Sequence, residues 1–535
     1  MGTQSPFGVP ACADTPAIPG AMQMLTAGTC VANVTNFLLE GKEPERIALQ
    51  FVDGLCTYGE VESASRKVAN FLLSSGAKKG DRAVLVAENS CFWVASYLGI
   101  LRAGLVCVPL PVAITAEDFA FIMHSVGPSF AFVESRFHQR NRPSLTGTTV
   151  VAAPPSIPRT DPGSYLRNID SILPHGAARE IQLPVFEARD LAAVMFTSGS
   201  TAKPRGVMVT HGNIIANTNS IIEYLGLTEN DSVMTVLPFH YCFGTSLLHT
   251  HLRVGGRLVI DNRFMYPETI LQHMQSSQCT GFAGVPSHYQ ILLRRSGIHR
   301  MTFPHLRYVQ QAGGHLAPAF IREFRKALPA VQMFVMYGQT EATARLAYVP
   351  PETLDKKAGS IGKAIPGVRL SVVNEEGRDV GAGEQGEIVA EGANIAAGYW
   401  GEEEETSVTF RNGRLHTGDL ATVDEDGFIY VTDRAKDFVK IGGKRTSCRK
   451  IEEQLLEFDG LLEIALIGIP DEVSGEALRA FVVPKDRKDD SFLGRFRAFC
   501  TQHLPLENVP KEITLLDALP KNSAGKTMKS ALRGL

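Results

Sequence analysis

An α/β fold, with a large body of mostly parallel sheets covered by helices and smaller units after it, is predicted by three observations. From Asp81 the chain reads DRAVLVAE, NSCFWVASYLGILRAG and LVCVPLP: an apolar run, a run of helical period and a second apolar run, which is a β-α-β unit. The same alternation returns at 232–238, 257–261, 282–286 and 332–338, with helical stretches between several of these segments. After Gly359 the texture shifts to short strands and glycine-rich turns (VRLSVVNEEGRDV, GEIVAEG, GFIYVTD), which predicts a smaller β-rich subdomain.

Taken in order, the first residues, MGTQSPFGVPACADTPAIPG, are rich in Pro, Ala and Gly and lack Lys and Arg; 1–25 reads as a loose tail with no signal-type apolar run. Asn89 or Ser90 caps the first predicted helix. The charged segment DRAKDFVKIGGKR, 433–445, separates the body from a final stretch with its own α+β pattern, including a helix near 491–503. The predicted division is therefore a body at 26–432, a joint at 433–437 and a carboxyl-terminal unit at 438–535.

At 535 residues the chain is too long for one ordinary core. A net charge of -3 with 20% charged and 44% hydrophobic residues fits a globular enzyme and argues against nucleic acid as a partner. The nine cysteines are scattered and never form CxxC, so neither a zinc site nor a disulfide framework is expected, and a reducing cytoplasmic location fits. No apolar stretch approaches the ~18 residues of a spanning helix.

The most informative segment is AVMFTSGSTAKPRGVMVTH, 193–211, in which a strand runs into Thr197, Ser198, Gly199, Ser200 and Thr201, then Lys203, Arg205 and Gly206. Glycine lets the backbone approach phosphate oxygens, hydroxyls donate hydrogen bonds, and the cations offset charge on a polyanion. Taken alone, such a loop is more often a mere connection. A Walker-type loop is excluded: GxxxxGK[ST] needs a glycine five positions before Gly525, and Pro520 stands there.

With its ordered companions, the segment resembles the adenylate-forming superfamily of acyl-CoA synthetases, peptide-synthetase adenylation domains and beetle luciferases, over about residues 30–535. TSGSTAKPRG resembles that family's TSGSTGxPKG phosphate loop, with Ala202 for glycine and Arg205 for lysine. YGQTEAT, 337–343, matches YGxTE, which implies that Tyr337 and Gly338 lie by adenine, Thr340 meets the α-phosphate and Glu341 helps hold Mg2+. QAGG, 311–314, resembles the adenine-side turn and brings in Gly313 and Gly314. In HTGDLATVDEDGFIYVTDR, Asp419 resembles the carboxylate that grips the ribose hydroxyls, and Arg434 adds a nucleotide contact. Lys436 aligns with the family hinge, about which a mobile carboxyl-terminal lid rotates between two half-reactions. Beyond it, Lys444, Arg445 and Cys448 depart from the usual pattern of the thiol-tunnel loop. LPKNSAGKTMKS, 519–530, matches PKxxxGK, with Lys526 as the implied catalytic lysine.

The resemblance implies an AMP-forming acid–thiol ligase using ATP and Mg2+, with coenzyme A as acceptor or, alternatively, the phosphopantetheine of an acyl carrier protein. LPFHYCFG, 237–244, places Phe239 and His240 where amino-acid-adenylating relatives carry an aspartate, so an acid without an α-amine is expected. His240 resembles the histidine between acyl pocket and thiol tunnel; Tyr241, Phe243, Val285, Pro286 and Met336 are candidate pocket walls for a fatty or aryl acid. Two other readings are a non-catalytic nucleotide or acyl-adenylate binder, prompted by Ala202, Cys448 and the 444–445 pair, and a luciferase-like oxygenase, for which no luciferin site is indicated.

Overall fold

A computed structural model describes residues 33–153, 183–197, 204–434, 438–441, 444–471, 474–487, 489–521 and 527–534, and every count below is of these residues. The expected β-α-β unit is strand Arg82–Val86, helix Cys91–Arg102 and strand Val106–Leu110, the strands paired in parallel with Arg82 opposite Val106. Every residue of that helix is buried, which accounts for its almost unbroken apolar text. Its cap is Ser90, whose side chain accepts a hydrogen bond from Trp93 N–H at 3.2 Å; Asn89 has other work.

The four later runs become strands Ser232–Thr235, Arg257–Ile260, Gly281–Gly284 and Gln332–Tyr337. With Tyr308–Gln311 and Ile47–Phe51 they form the parallel centre of a nine-stranded sheet whose outer strands are antiparallel. A six-stranded sheet holds the β-α-β unit; it is parallel as far as Leu191–Thr197, with Arg205–Thr210 antiparallel at its edge. One apolar cluster joins the two sheets, from Leu49 and Leu258 through Trp93 and Leu98 to Leu85 and Cys107. The sheets are therefore buried by shared helices, as parallel sheets require.

Beyond Gly359 a five-stranded antiparallel sheet contains Val368–Val373, Gln385–Gly392, Arg414–Val423, Phe410–Arg411 and Ile429–Arg434. A last five-stranded sheet begins at Phe438–Ile441 and packs helices Cys448–Leu455 and Phe492–His503 around its own apolar cluster. The chain is thus an α/β protein with a large amino-terminal body, a small β-rich part and a smaller α+β carboxyl-terminal domain. Among the described residues, no helix is long and apolar enough to cross a membrane.

Candidate active site

Four neighbouring parallel strands, in the order Gln332–Tyr337, Tyr308–Gln311, Gly281–Gly284, Ser232–Thr235, end on one edge of the large sheet. Their carboxyl ends carry Gly338–Glu341, Ala312–Gly314, Val285–Pro286 and Pro238–Tyr241. Open α/β sheets form their ligand crevice at such ends. The topology therefore brings four separately predicted segments together.

The turn after Tyr337 is tightly specified. A Cβ on Gly338 would stand 2.0 Å from the Ala344 carbonyl oxygen, so only glycine fits. Thr343 holds a left-handed backbone (φ 64°), unusual for a β-branched residue, and its Oγ1 donates to the Asn394 carbonyl at 2.6 Å. Asn394 Nδ2 donates to the Arg345 carbonyl at 2.8 Å, and Ala396 N–H donates to the Glu341 carbonyl at 2.9 Å. Thr340 Oγ1 lies 3.5 Å from Cys242 Sγ, and Glu341 Oε1 accepts a 2.9 Å hydrogen bond from the Tyr399 hydroxyl. Segment 394–399 is thus the frame that aims Thr340 and Glu341.

The same segment ties this turn to the phosphate-loop hairpin. Thr197 pairs with Arg205 across that hairpin, Met208 N–H donates to the Gly398 carbonyl and Trp400 N–H to the Gly206 carbonyl. Gly206 has no room for a side chain: a Cβ would lie 2.7 Å from Val194 Cγ1. Arg205 ion-pairs with Glu402 at 3.2 Å and Glu405 at 2.9 Å and faces the Tyr399 ring. Ser198, Gly199, Ser200, Thr201 and Lys203 lie outside the described residues.

Asn89 clamps the loop that carries His240: its Nδ2 donates to the Leu237 carbonyl and its Oδ1 accepts from Phe239 N–H, both at 2.8 Å. Phe239 is fully buried against Trp93, so its side chain belongs to the core. His240 stacks obliquely on Tyr241, and its buried Nε2 has no hydrogen-bond partner among the described residues. Burial pushes its imidazole down to about 4, so it is neutral near pH 7. Phe243, Val285 and Met336 are buried, while Tyr241 and Pro286 are half-buried. Gly313 (φ 81°) and Gly314 lean on Val285 and Pro286, where added Cβ atoms would come within 3.0 and 3.3 Å.

Asp419 is buried and its Oδ2 accepts a 2.6 Å hydrogen bond from the Tyr337 hydroxyl, which joins the β-rich sheet to the strand ends. Arg434 sits opposite Asp419 in the strand register. Lys436 and Lys526 fall outside the described residues. On either side of Lys526, Lys521 forms a bridge with Thr527 and is ion-paired to Glu463 at 2.5 Å. Burial, and secondarily the charge of Lys521, push the His288 imidazole down, so Lys521 lies near helix Pro286–Arg295. Nearby, His315 bridges the large body and the carboxyl-terminal domain: Arg449 donates to its Nδ1 at 2.5 Å, and its Nε2 lies 2.7 Å from Glu453 Oε1.

The model of the AMP-binding enzyme family matches residues 40–400, and that of the AMP-binding enzyme C-terminal domain matches 450–526. The chain belongs to the AMP-binding enzyme family. It is similar to the long-chain-fatty-acid–CoA ligase of Salmonella typhimurium, at 29% identity over 89% of each chain. To the feruloyl-CoA synthase of an Amycolatopsis species it is 30% identical, over 92% of this chain and 96% of the relative. Among solved structures, it is similar to the o-succinylbenzoate coenzyme A synthetase of Bacillus subtilis in complex with ATP and magnesium ion. That likeness has a TM-score of 0.81 at 26% identity and covers 94% of this chain and all 100% of the other. As an AMP-binding enzyme this chain is an AMP-forming acid–thiol ligase: it uses ATP, Mg2+ and coenzyme A to convert a carboxylic acid, by way of its adenylate, into a thioester.

Neither Asn394 nor Tyr399 was a candidate from sequence. Their contacts span 49 and 58 residues, and an Asn or Tyr in a Gly/Ala-rich stretch carries no local sign of them.

Proposed function

We propose that this AMP-binding enzyme activates an acid without an α-amine at the strand-end crevice and passes it to coenzyme A. The observation that carries this reading is the Thr340–Glu341 turn, framed by Asn394 and Tyr399 and standing beside the His240 loop and the Asp419–Tyr337 pair. In this reading ATP lies along the crevice. Adenine rests by Tyr337, Gly338, Gly313 and Gly314, its ribose on Asp419 and Arg434, and its phosphates between the 197–206 hairpin and Thr340. Arg205 is engaged by two glutamates and holds the hairpin's shape, and with Lys203 it offsets phosphate charge.

A magnesium ion fits the donor set. Among the described residues no group of three or more His, Cys, Asp or Glu could hold a metal alone, whereas Glu341 together with phosphate oxygens suits Mg2+. When bound, it would neutralise charge on the leaving pyrophosphate. Thr340 donates to the α-phosphate, and Lys526, brought in by the lid, stands between two anions, the attacking carboxylate and the α-phosphate, and lowers their repulsion in the transition state. The neutral His240 borders both the acyl pocket, walled by Tyr241, Phe243, Val285, Pro286 and Met336, and the path of the thiol. With no carboxylate in LPFHYCFG and His240 uncharged, an α-ammonium would be left unpaired there.

The division into a tail at 1–25, a body at 26–432, a hinge at 433–437 about Lys436 and a lid at 438–535 belongs to the same reading, as does a cytoplasmic location. An acyl carrier protein is the second acceptor considered, because its phosphopantetheine presents the same thiol. The test is pyrophosphate release from Mg-ATP across fatty, aryl and amino acids, with and without coenzyme A. Release that needs an acid lacking an α-amine and rises with coenzyme A is expected. Stimulation by a loaded carrier protein alone would transfer the acceptor role to it, and release only with amino acids would refute the pocket reading.

A further inference from the structure

Arg345 is a buried cation for which the described residues supply no anion. It follows the Thr340–Glu341 turn, is only 1% exposed, and its guanidinium carbon stands 4.1 Å from the centre of the Phe243 ring. Nε points to Met336 Sδ at 3.4 Å, Nη1 to the Ala344 carbonyl at 3.4 Å, and Nη2 has no hydrogen-bond partner. The Tyr224 hydroxyl donates to the same sulfur at 3.0 Å, and its oxygen also interacts with the Arg345 guanidinium, a neutral partner that leaves the charge uncompensated. A thioether is a weak acceptor, and the contact to the Ala344 carbonyl is long for an oxygen acceptor. None of the described carboxylates forms an ion pair with Arg345.

Its placement is as informative as its isolation. Phe243 and Met336 are two of the residues read above as walls of the acyl pocket. Cys242, next to Phe243, touches the Thr340 hydroxyl at 3.5 Å and also feels the charge of Arg345. Thr340 is read above as the residue that meets the α-phosphate, and the neighbouring residues Cys242 and Phe243 link it to Arg345. A buried, uncompensated charge costs several kcal/mol on its own. A planar guanidinium with weakly engaged donors is complementary to a carboxylate, which it can take through two parallel hydrogen bonds.

We propose that Arg345 binds a second carboxylate at the far end of the acid, which makes this enzyme selective for dicarboxylic acids. The inference rests on the reading of Phe243 and Met336 as pocket walls. A monocarboxylic acid of the same length would leave the guanidinium buried beside an alkyl or aryl terminus. A site built for a polar partner rejects the analogue that lacks it far more strongly than an apolar pocket separates chain lengths.

The experiment measures kcat/KM for acid-dependent pyrophosphate release with matched pairs: adipate against hexanoate, glutarate against pentanoate, terephthalate against benzoate. The wild-type enzyme is expected to favour at least one diacid over its partner by about 100-fold or more. Arg345→Met should lose most of that ratio, with the diacid KM rising and the monoacid improving, while Arg345→Lys keeps part of it. ATP binding and the melting midpoint of each variant separate a lost contact from a lost fold, and the wild-type ratios decide the matter if neither variant folds. Equal turnover within each wild-type pair, or an unchanged ratio in folded Arg345→Met, would overturn the role of Arg345 while leaving the ligase reading intact. Pyrophosphate released with none of the six acids, but with an α-amino acid, would overturn the pocket reading and this inference together.

Discussion

At the scale of single residues, the chemistry is divided between groups that are framed and groups that are delivered. Thr340 and Glu341 are held by hydrogen bonds from distant segments, whereas the role proposed for Lys526 needs it to be brought in with the carboxyl-terminal domain. A cation that stabilises only the transition state should matter for turnover and little for binding. Lys526→Ala is therefore expected to lower the adenylation rate by about 100-fold or more, with ATP affinity changed only a few-fold. Stopped-flow adenylation and a nucleotide-binding titration check this, and an unchanged rate would remove Lys526 from the mechanism. The buried, partner-free Nε2 of His240 and Nη2 of Arg345 are the other notable residues, because buried polar atoms in proteins are nearly always bonded. Both are explained if the substrates supply the partners.

At the scale of elements, the crevice depends on turns that glycine alone can make. Gly338 has the Ala344 carbonyl where a Cβ would be, so Gly338→Ala must displace the strand end that carries Thr340. The expected cost is about 2–3 kcal/mol of stability together with a loss of activity; chemical denaturation and the pyrophosphate assay measure the two. A variant of normal stability and rate would show that the turn is looser than described. Such elements were legible to different degrees. The parallel strands could be read because a strand buried on both faces is continuously apolar, as in LVCVPLP. The cap could not be chosen between Asn89 and Ser90, since both are good caps; a contact made 148 residues away, at Leu237, decides it. Nothing in the sequence around Arg345 marks it, and only packing shows it to be buried against Phe243. The order of the motifs carried the site, while its frame at 394–399 is tertiary and left no local trace.

At the scale of the whole molecule, the body carries a pH dependence of stability built from buried histidines. His249 Nε2 meets the Tyr97 hydroxyl at 2.9 Å, His251 bridges the Leu247 carbonyl and the Tyr308 hydroxyl, and His211 Nδ1 accepts from Val34 N–H at 3.1 Å. These contacts are made by neutral imidazoles, and burial pushes the three down to about 3, about 4 and about 4, in that order. Unfolded histidine titrates near 6.5. Below that value the unfolded chain takes up protons that the folded chain refuses. The stabilisation is therefore complete above about pH 6.5 and is lost as the pH falls from there towards 4, by up to about 1.4 kcal/mol per unit per histidine. The melting midpoint should drop between pH 7.5 and pH 5, and less so in His249→Phe. A flat profile would mean that these imidazoles are protonated in the fold.

The two sheets, the β-rich part and the carboxyl-terminal domain together serve one central claim, that this enzyme joins an acid to a thiol through an adenylate. The most direct measurement is the stoichiometry of products when wild-type enzyme turns over an accepted acid with Mg-ATP and coenzyme A. AMP, pyrophosphate and acyl-CoA are expected in equal amounts, with acyl-AMP accumulating when coenzyme A is withheld. ADP and inorganic phosphate in place of AMP and pyrophosphate would contradict it.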